Sequence, residues 1–401
     1  MEQKKPADFQ IAMLNTDMLP EETVFEERAD FPLTRERLDA IPIADASMST
    51  DQLRQICVDY LKLSVSFQWV ADRYITFNGK PERTFYKGKL YGGIPYINTA
   101  SGNLYRILEY YDEKTGVLDT SFFSEHPLLF GTACSGTAAT AWQRVVNSAE
   151  ISWTHSMNAA HGFVPVGPYR YDYRQEIIWE KMPDGKRKYF YNTKNVCSEN
   201  GEQVMYESYA MTLPADCYSS NGHVRMSAEA PVVVRDEKGA IDGEKSYVIL
   251  IEQGLYTKGE HHVRKNADGA EYLIRGCDGR PFTFKELFEA GYLVHTFREF
   301  LGIDPVEKSQ VTLLFEGDEK TVATGTVKAN YPISDLFFTV KDAVGKVIWS
   351  HIHRHHPHYI TSIPLAQCLP EGIPVQGQLE VFAQLSTGEK KPVYVGKTDF
   401  S

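Results

Sequence analysis

Between Phe130 and Trp142 the chain is built almost wholly of small side chains, Gly131-Thr132-Ala133-Cys134-Ser135-Gly136-Thr137-Ala138-Ala139-Thr140-Ala141, and it carries one thiol there. The segment reads as the opening of a helix that runs on through Val145 and Val146. A thiol at a helix N-terminus feels the positive end of the macrodipole, which lowers its pKa and favours the nucleophilic thiolate. A cysteine among alanines also reads as an ordinary small core residue. The choice between the two turns on what the rest of the chain supplies.

Nucleophilic acyl transfer by cysteine needs a histidine that first holds and later donates the proton, and an acceptor that orients the ring. Gly222-His223-Val224 and Ile251-Glu252-Gln253 offer both. The stretch from His223 to Gln253 holds the clearest strand signal, with Val232-Val233-Val234 and Tyr247 to Ile251 flanking a turn-rich centre. Asp236-Glu237-Lys238-Gly239 has the Asp and Gly that a type I turn prefers. A register set by that turn places His223 opposite Glu252 on one face of a sheet, while Asp242-Gly243-Glu244 leaves room for a bulge. Gln253 and Asp216 are alternative partners for the histidine, and Glu252 also reads as a solvated charge at a strand end.

The length of 401 residues suffices for a sizeable core, which suggests two domains and an N-terminal extension. Lys and Arg number 42 against 53 Asp and Glu, a formal charge of −11, so the basic footprint that nucleic acid or an anionic membrane requires is missing. The six cysteines, at 57, 134, 197, 217, 277 and 368, lack CxxC spacing and disulfide-scaffold density, and read mostly as free thiols. No run of about 18 apolar residues occurs, and the first residues lack the apolar core of a secretory signal. The sequence as it stands reads as soluble and cytoplasmic, or extracellular if a leader has been trimmed. Its oligomeric state is open.

Residues 1–48, with Pro20, Pro32 and Pro42 and little periodicity, read as an extended surface arm. Ser49-Thr50-Asp51 caps a helix whose Leu53, Cys57, Tyr60, Leu61, Val65 and Trp69 recur at helical spacing up to Asp72. Tyr91-Gly92-Gly93-Ile94-Pro95-Tyr96 is a loop where backbone makes a tight approach to a neighbour. Tyr169, Tyr171, Tyr173, Tyr189 and Tyr191 either wall a groove for a sugar or peptide or form a small core under a long loop. Thr283 begins a further helix that ends near Gly291. From about Asp304 the texture changes to short alternating strands, Gln310 to Phe315, Thr321 to Lys328, Leu336 to Val340 and Leu379 to Leu385, which reads as a β-sandwich.

In the run His351-Ile352-His353-Arg354-His355-His356-Pro357-His358, three histidines alternate onto one face of a strand. That invites a metal reading beside the plainer one of an edge strand protected by charge and proline. His155 and His161 have no Cys or acid at a supportive spacing and read as packing or substrate-lining residues.

The short motifs resemble the NlpC-like and CHAP-type branch of the papain-like cysteine peptidases, most of which cut amide bonds in bacterial peptidoglycan. Cys134-Ser135-Gly136 is similar to the family's Cys-Ser-Gly at the head of the catalytic helix, and Tyr91-Gly92-Gly93 to the loop before it. Leu213-Pro214-Ala215-Asp216 is similar to the Pro-Gly-Asp turn that leads into the strand before the histidine, with Ala215 in the glycine position. Gly222-His223-Val224 matches the histidine strand, and Ile251-Glu252-Gln253 resembles the Glu-Gln-Asn of CHAP domains. Ala133, Lys89 and Gly254 depart from the family's usual acid, loop tyrosine and asparagine.

The resemblance, which covers roughly residues 85 to 300, implies an α+β fold with a papain-like domain over 49–303; the composition and strand spacing add the arm of 1–48 before it and an Ig-like β-sandwich over 304–401 after it, which is expected to help position substrate or a partner. The resemblance also implies a Cys134, His223, Glu252 triad, with Tyr91 and Ser135 on the substrate or oxyanion side. The substrate is a peptide or peptidoglycan fragment, and no metal or organic cofactor is implied. An acyltransferase on the same scaffold and an inactive binding protein are the alternatives.

Overall fold

The structure, a computed structural model, describes residues 25–76, 84–97, 102–147, 157, 162–171, 179–183, 187–189, 192–254, 263–269, 271–274, 276–315, 322–354, 360–369, 372–374 and 376–397. Helix and sheet are mixed in the α+β manner. Ser49 opens the long helix Thr50–Ser66 through a capping box, its hydroxyl accepting from Gln52 N while the Gln52 side chain accepts from Ser49 N. Leu53, Cys57, Tyr60, Leu61 and Val65 make the buried stripe.

The helix stops at Ser66, short of the expected Asp72, because Gln68–Ala71 forms a strand. Trp69 is buried there, its indole N–H donating to Gly93 O at 2.9 Å. Aromatic and β-branched residues fit a pleated surface paired on both sides, and here Leu90–Gly92 and Val117–Leu118 flank the strand. These belong to a five-stranded sheet completed by Glu271–Ile274 and Val263–Lys265.

A second sheet of six strands is antiparallel throughout, in the order Gly276–Thr283, Tyr247–Gln253, Val224–Ser227, Cys217–Ser219, Leu293–Thr296, Val164–Pro165. The helix Cys134–Trp142 is buried along its whole length, and with Thr50–Ser66 it packs in the principal hydrophobic core. Tyr169, Tyr206, Tyr209, Tyr218 and Tyr292 pack on the six-stranded sheet with the helix Phe284–Ala290, forming a core of their own. Tyr169 therefore belongs to a hydrophobic core and Tyr171 packs at its margin, whereas Tyr173 and Tyr191 lie outside the described residues. Thr283 and Gly291 bound the helix as expected, with a capping box to Glu286 and a left-handed C-cap at φ 76°.

The N-terminal segment is extended from residue 25 but includes an unexpected short helix, Arg35–Asp39, capped by Thr34. It lies along the five-stranded sheet, where Glu27 accepts from Leu90 N at 2.7 Å and Pro32 bridges Gln68.

Beyond Asp304 two sheets share a third core. One is Val311–Phe315, Gly325–Ala329 and Ser362–Pro364; the other is Val347–Arg354, Ile333–Lys341, Gln378–Leu385 and Lys390–Lys397. The expected strand from Thr321 begins only at Gly325, after a 3₁₀ turn at Val322–Thr324. This part meets the preceding one at the far end of the cysteine helix. Tyr331 donates to Val145 O, Ser386 to Gln143 O, and buried Arg106 pairs with Asp335 at 2.9 Å.

Candidate active site

Cys134 is the first residue of its helix, and the lead-in segment fixes its position. Thr132 N donates to Pro95 O and Ile97 N to Thr132 O, each at 3.0 Å, so residues 131–133 run beside the Gly92-Gly93 loop. Only glycine fits at 131, where a Cβ would stand 2.1 Å from Pro95 O. Ala133 caps the helix without a side-chain hydrogen bond. The first-turn N–H groups thus lack a conventional cap, and the sulfur receives the backbone N–H of Ser135, together with that of Val224 from the histidine strand.

His223 closes the turn Ser220–His223 between Cys217–Ser219 and Val224–Ser227, where Ser220 N donates to His223 O at 2.9 Å. Its Nε2 lies 2.5 Å from Glu252 Oε2, which leaves Nδ1 as the ring nitrogen not engaged by the carboxylate, and the ring acts on the Cys134 thiol to lower its pKa. The ring is about a fifth exposed and the Glu252 side chain is sealed. Cys134 itself is buried at the edge of the principal core, 5% exposed.

Met226 pairs with Ile251 and Ser227 with Leu250. Glu252 consequently stands beside Arg225, and His223 reaches it diagonally, two residues off the expected register. The shift is the net of two irregularities, the second turn, where Asp242 Oδ1 accepts from Glu244 N and Lys245 N, and the stretch 228–232, where Val232 bridges Tyr247 while Ala228 N donates to Ile249 O. A slip of two preserves the face, whereas a slip of one would have turned the carboxylate away. The first turn forms as expected, with Gly239 N donating to Asp236 O. Val232-Val233-Val234 is not a strand: only Val232 bridges Tyr247, following Pro231, which cannot donate to a ladder.

Electrostatically the three groups support one another. Burial opposes ionisation of Cys134, yet the hydrogen bond and charge of His223 bring its pKa below the ordinary thiol value. Burial also opposes the imidazolium, but the bonds to Cys134 and Glu252 raise His223 to about 9. Glu252 is held down to about 2, against the penalty of burial, by His223 and Arg225. The other cysteines behave oppositely. Burial raises the pKa of Cys57, Cys197, Cys217, Cys277 and Cys368.

The alternative partners of the histidine have other tasks. Gln253 donates to Ile94 O and accepts from Thr137, tying the glycine loop to the cysteine helix. Asp216 pairs with buried Arg54 at 2.6 Å, a residue that also reaches Pro214 O and Thr296. Just before Asp216, Ala215 adopts φ 67°, the one positive φ outside glycine among the described residues, at the position where the resembling motif has glycine. Its carbonyl accepts from Trp142 at 2.8 Å.

Tyr91 corrects the expectation of a substrate-side hydroxyl. It is buried against Trp69 and Phe85, and its oxygen accepts from Tyr86 N at 2.8 Å. Pairing with Trp69 across the sheet turns the ring into the core. Ser135 is nearly buried and offers the sulfur its backbone N–H.

Arg225 was not anticipated. Its Nε donates to Glu252 Oε2 at 2.6 Å, and its guanidinium lies over Phe282 and Tyr292, 4.1 and 4.6 Å from the ring centroids. The available signal was its spacing of two from His223, which sets both on one strand face.

His351 and His353 occupy the edge strand Val347–Arg354, opposite the core residues Phe338 and Leu336, and burial lowers the pKa of both. His355, His356 and His358, like His155 and His161, lie outside the described residues. Among the described residues no group of three or more His, Cys, Asp or Glu side chains is placed to hold a metal ion, and no helix is long and apolar enough to cross a membrane. Comparison with known proteins finds no matching family model, curated protein or solved structure.

Proposed function

We propose that the protein is a cysteine hydrolase of peptide or amide bonds, acting on peptidoglycan-type peptides through Cys134, His223 and Glu252. In this reading residues 49–303 form a papain-like body and residues 304–401 an Ig-like β-sandwich. The observation that carries it is the bond from His223 Nε2 to the sealed Glu252 carboxylate at 2.5 Å, together with a thiol pKa that His223 lowers in Cys134 alone among the six cysteines. The choice of peptidoglycan peptides rests on the motif resemblance.

The chemistry follows from the geometry. The Cys134 thiolate attacks the carbonyl carbon, and the electron pair of the carbonyl moves onto its oxygen, where the N–H of Cys134 itself at the helix start receives it. The tetrahedral species collapses as His223 Nδ1 passes its proton to the leaving nitrogen, giving a free amine and a thioester. Water then attacks the thioester, its proton returning to His223, and the acid leaves with Cys134 restored. Glu252 holds Nε2 throughout, keeping Nδ1 toward the sulfur.

The test is incubation with purified muropeptides followed by mass analysis. The expected result is a new pair of fragments differing from the parent by one water, absent with Cys134→Ala. Fragments that persist in a folded Cys134→Ala protein would refute the mechanism. Adducts of added amines in place of hydrolysis products would make the protein an acyltransferase.

A further inference from the structure

Glu252 faces a difficulty that the triad alone does not resolve. If the proposed hydrolysis holds, on which this inference rests, His223 alternates between imidazolium and neutral imidazole. While it is charged, the sealed carboxylate has a counter-charge. Once it gives up its proton, a carboxylate partnered by His223 alone is a buried anion without one, and such a group takes up a proton. It would then no longer accept from Nε2–H, and the ring would lose its orientation.

We propose that Arg225 is the positioning residue that keeps Glu252 ionised and oriented through both protonation states of His223. Arginine does not titrate in this range, so its charge is constant over the cycle. Its Nε donates to Oε2, the same oxygen that meets the ring, and its plane is clamped between buried Phe282 and Tyr292. His223, at the end of its turn, and Arg225, on the strand that follows, thus grip one carboxylate oxygen.

The other charged or titratable groups near this cluster do not do the same. Cys134 approaches from its helix as the anionic partner of His223. Cys277 is opposite Glu252 on the neighbouring strand, and burial raises its pKa, as it does that of Tyr292. Arg264, beyond Cys277, pairs with Asp278 at 2.6 Å. Among the described residues Arg225 is the permanent cation with a hydrogen bond to Glu252.

The test compares full-length wild type, Arg225→Lys and Arg225→Gln by the pH dependence of Cys134 alkylation with iodoacetamide, measured by peptide mass analysis alongside a thermal melt. Loss of the cation makes the surroundings of the thiolate more negative, so Arg225→Gln should move the acid-side midpoint upward by about one pH unit, while Arg225→Lys stays near wild type. An unmoved midpoint in a folded Arg225→Gln protein would leave Arg225 only its packing role and overturn the proposal.

Should Arg225→Gln fail to fold, wild type with Cys134 capped by methyl methanethiosulfonate gives the answer. The ¹³C signal of the Glu252 carboxyl should stay that of an ion while His223 titrates. Protonation of Glu252 in step with loss of the His223 proton would contradict the proposal. A wild-type Cys134 that titrates like a thiol in the unfolded chain would instead remove the triad itself, a failure distinct from that of Arg225.

Discussion

Glu252 is where single-residue chemistry and stability meet. Its pKa of about 2 lies below the ordinary glutamate value of 4.5, so its ionised form stabilises the fold above about pH 4.5, and that stabilisation is lost as pH falls through about 2. His223 has the opposite sign. Its contribution is complete below about 6.5 and disappears as pH rises through about 9. Hydrolysis should fall over that same upper range, because the leaving amine then lacks its proton donor, while alkylation of the thiolate persists. Glu252→Gln should lower kcat by about 10²-fold with little change in KM, as expected when an orienting acceptor is lost but the binding surface remains. Steady-state kinetics on a muropeptide substrate would check this, and an unchanged kcat would assign the orienting role elsewhere.

The three reactive types and their order are legible in the sequence because each sits in a short motif with local meaning. Arg225 is not, since a lone arginine on a strand normally reaches water, and only the register that sets Glu252 beside it shows otherwise. Tyr91 misleads for a related reason. It lies on the strand Leu90–Gly92 opposite Trp69, and strand alternation buries its ring.

At the level of elements, the turn Leu213–Asp216 sets where the strand Cys217–Ser219, which leads to the histidine, begins. Asp216 accepts from Leu213 N, and through Arg54 it fastens that turn to the helix Thr50–Ser66. Both side chains of the pair are sealed, at 3% and 2% exposure. Removing one partner of such a pair leaves the other as an unpaired buried charge, which costs about 3–5 kcal/mol. Asp216→Ala should therefore lower the unfolding free energy measured by denaturant titration by that amount, and a loss under about 1 kcal/mol would show that the pair does not anchor the strand. Cap residues and glycines make most helix boundaries readable, as Ser49, Thr283 and Gly291 show. The helix-to-strand switch at Phe67 is less so: Trp69 falls at helical spacing, and only pairing with Leu90–Gly92, distant in sequence, draws it into a sheet.

Across the whole molecule, the C-terminal sheets grip the end of the cysteine helix opposite the sulfur. The change of texture near Asp304 reveals that part of the chain, but its attachment also depends on Arg106 and Glu109 of the helix Leu104–Glu109, which pair with Asp335 and Arg354 more than two hundred residues away. Asp335 accepts from both arginines. Asp335→Ala should destabilise the protein by about 3–5 kcal/mol for the reason given for Asp216, while turnover per folded molecule stays at the wild-type level. A thermal melt paired with active-site titration would separate the two quantities. Lost turnover in fully folded protein would show that this contact reaches the site.

The central claim is that Cys134 alone among six cysteines is an activated thiolate, and limited alkylation of the native chain at about pH 6.5 tests it most directly. Mass analysis after a brief exposure to iodoacetamide should find a single adduct, on Cys134, that disappears as acid titrates the His223 pair. No adduct, or label spread over the six thiols as in the unfolded chain, would contradict the account.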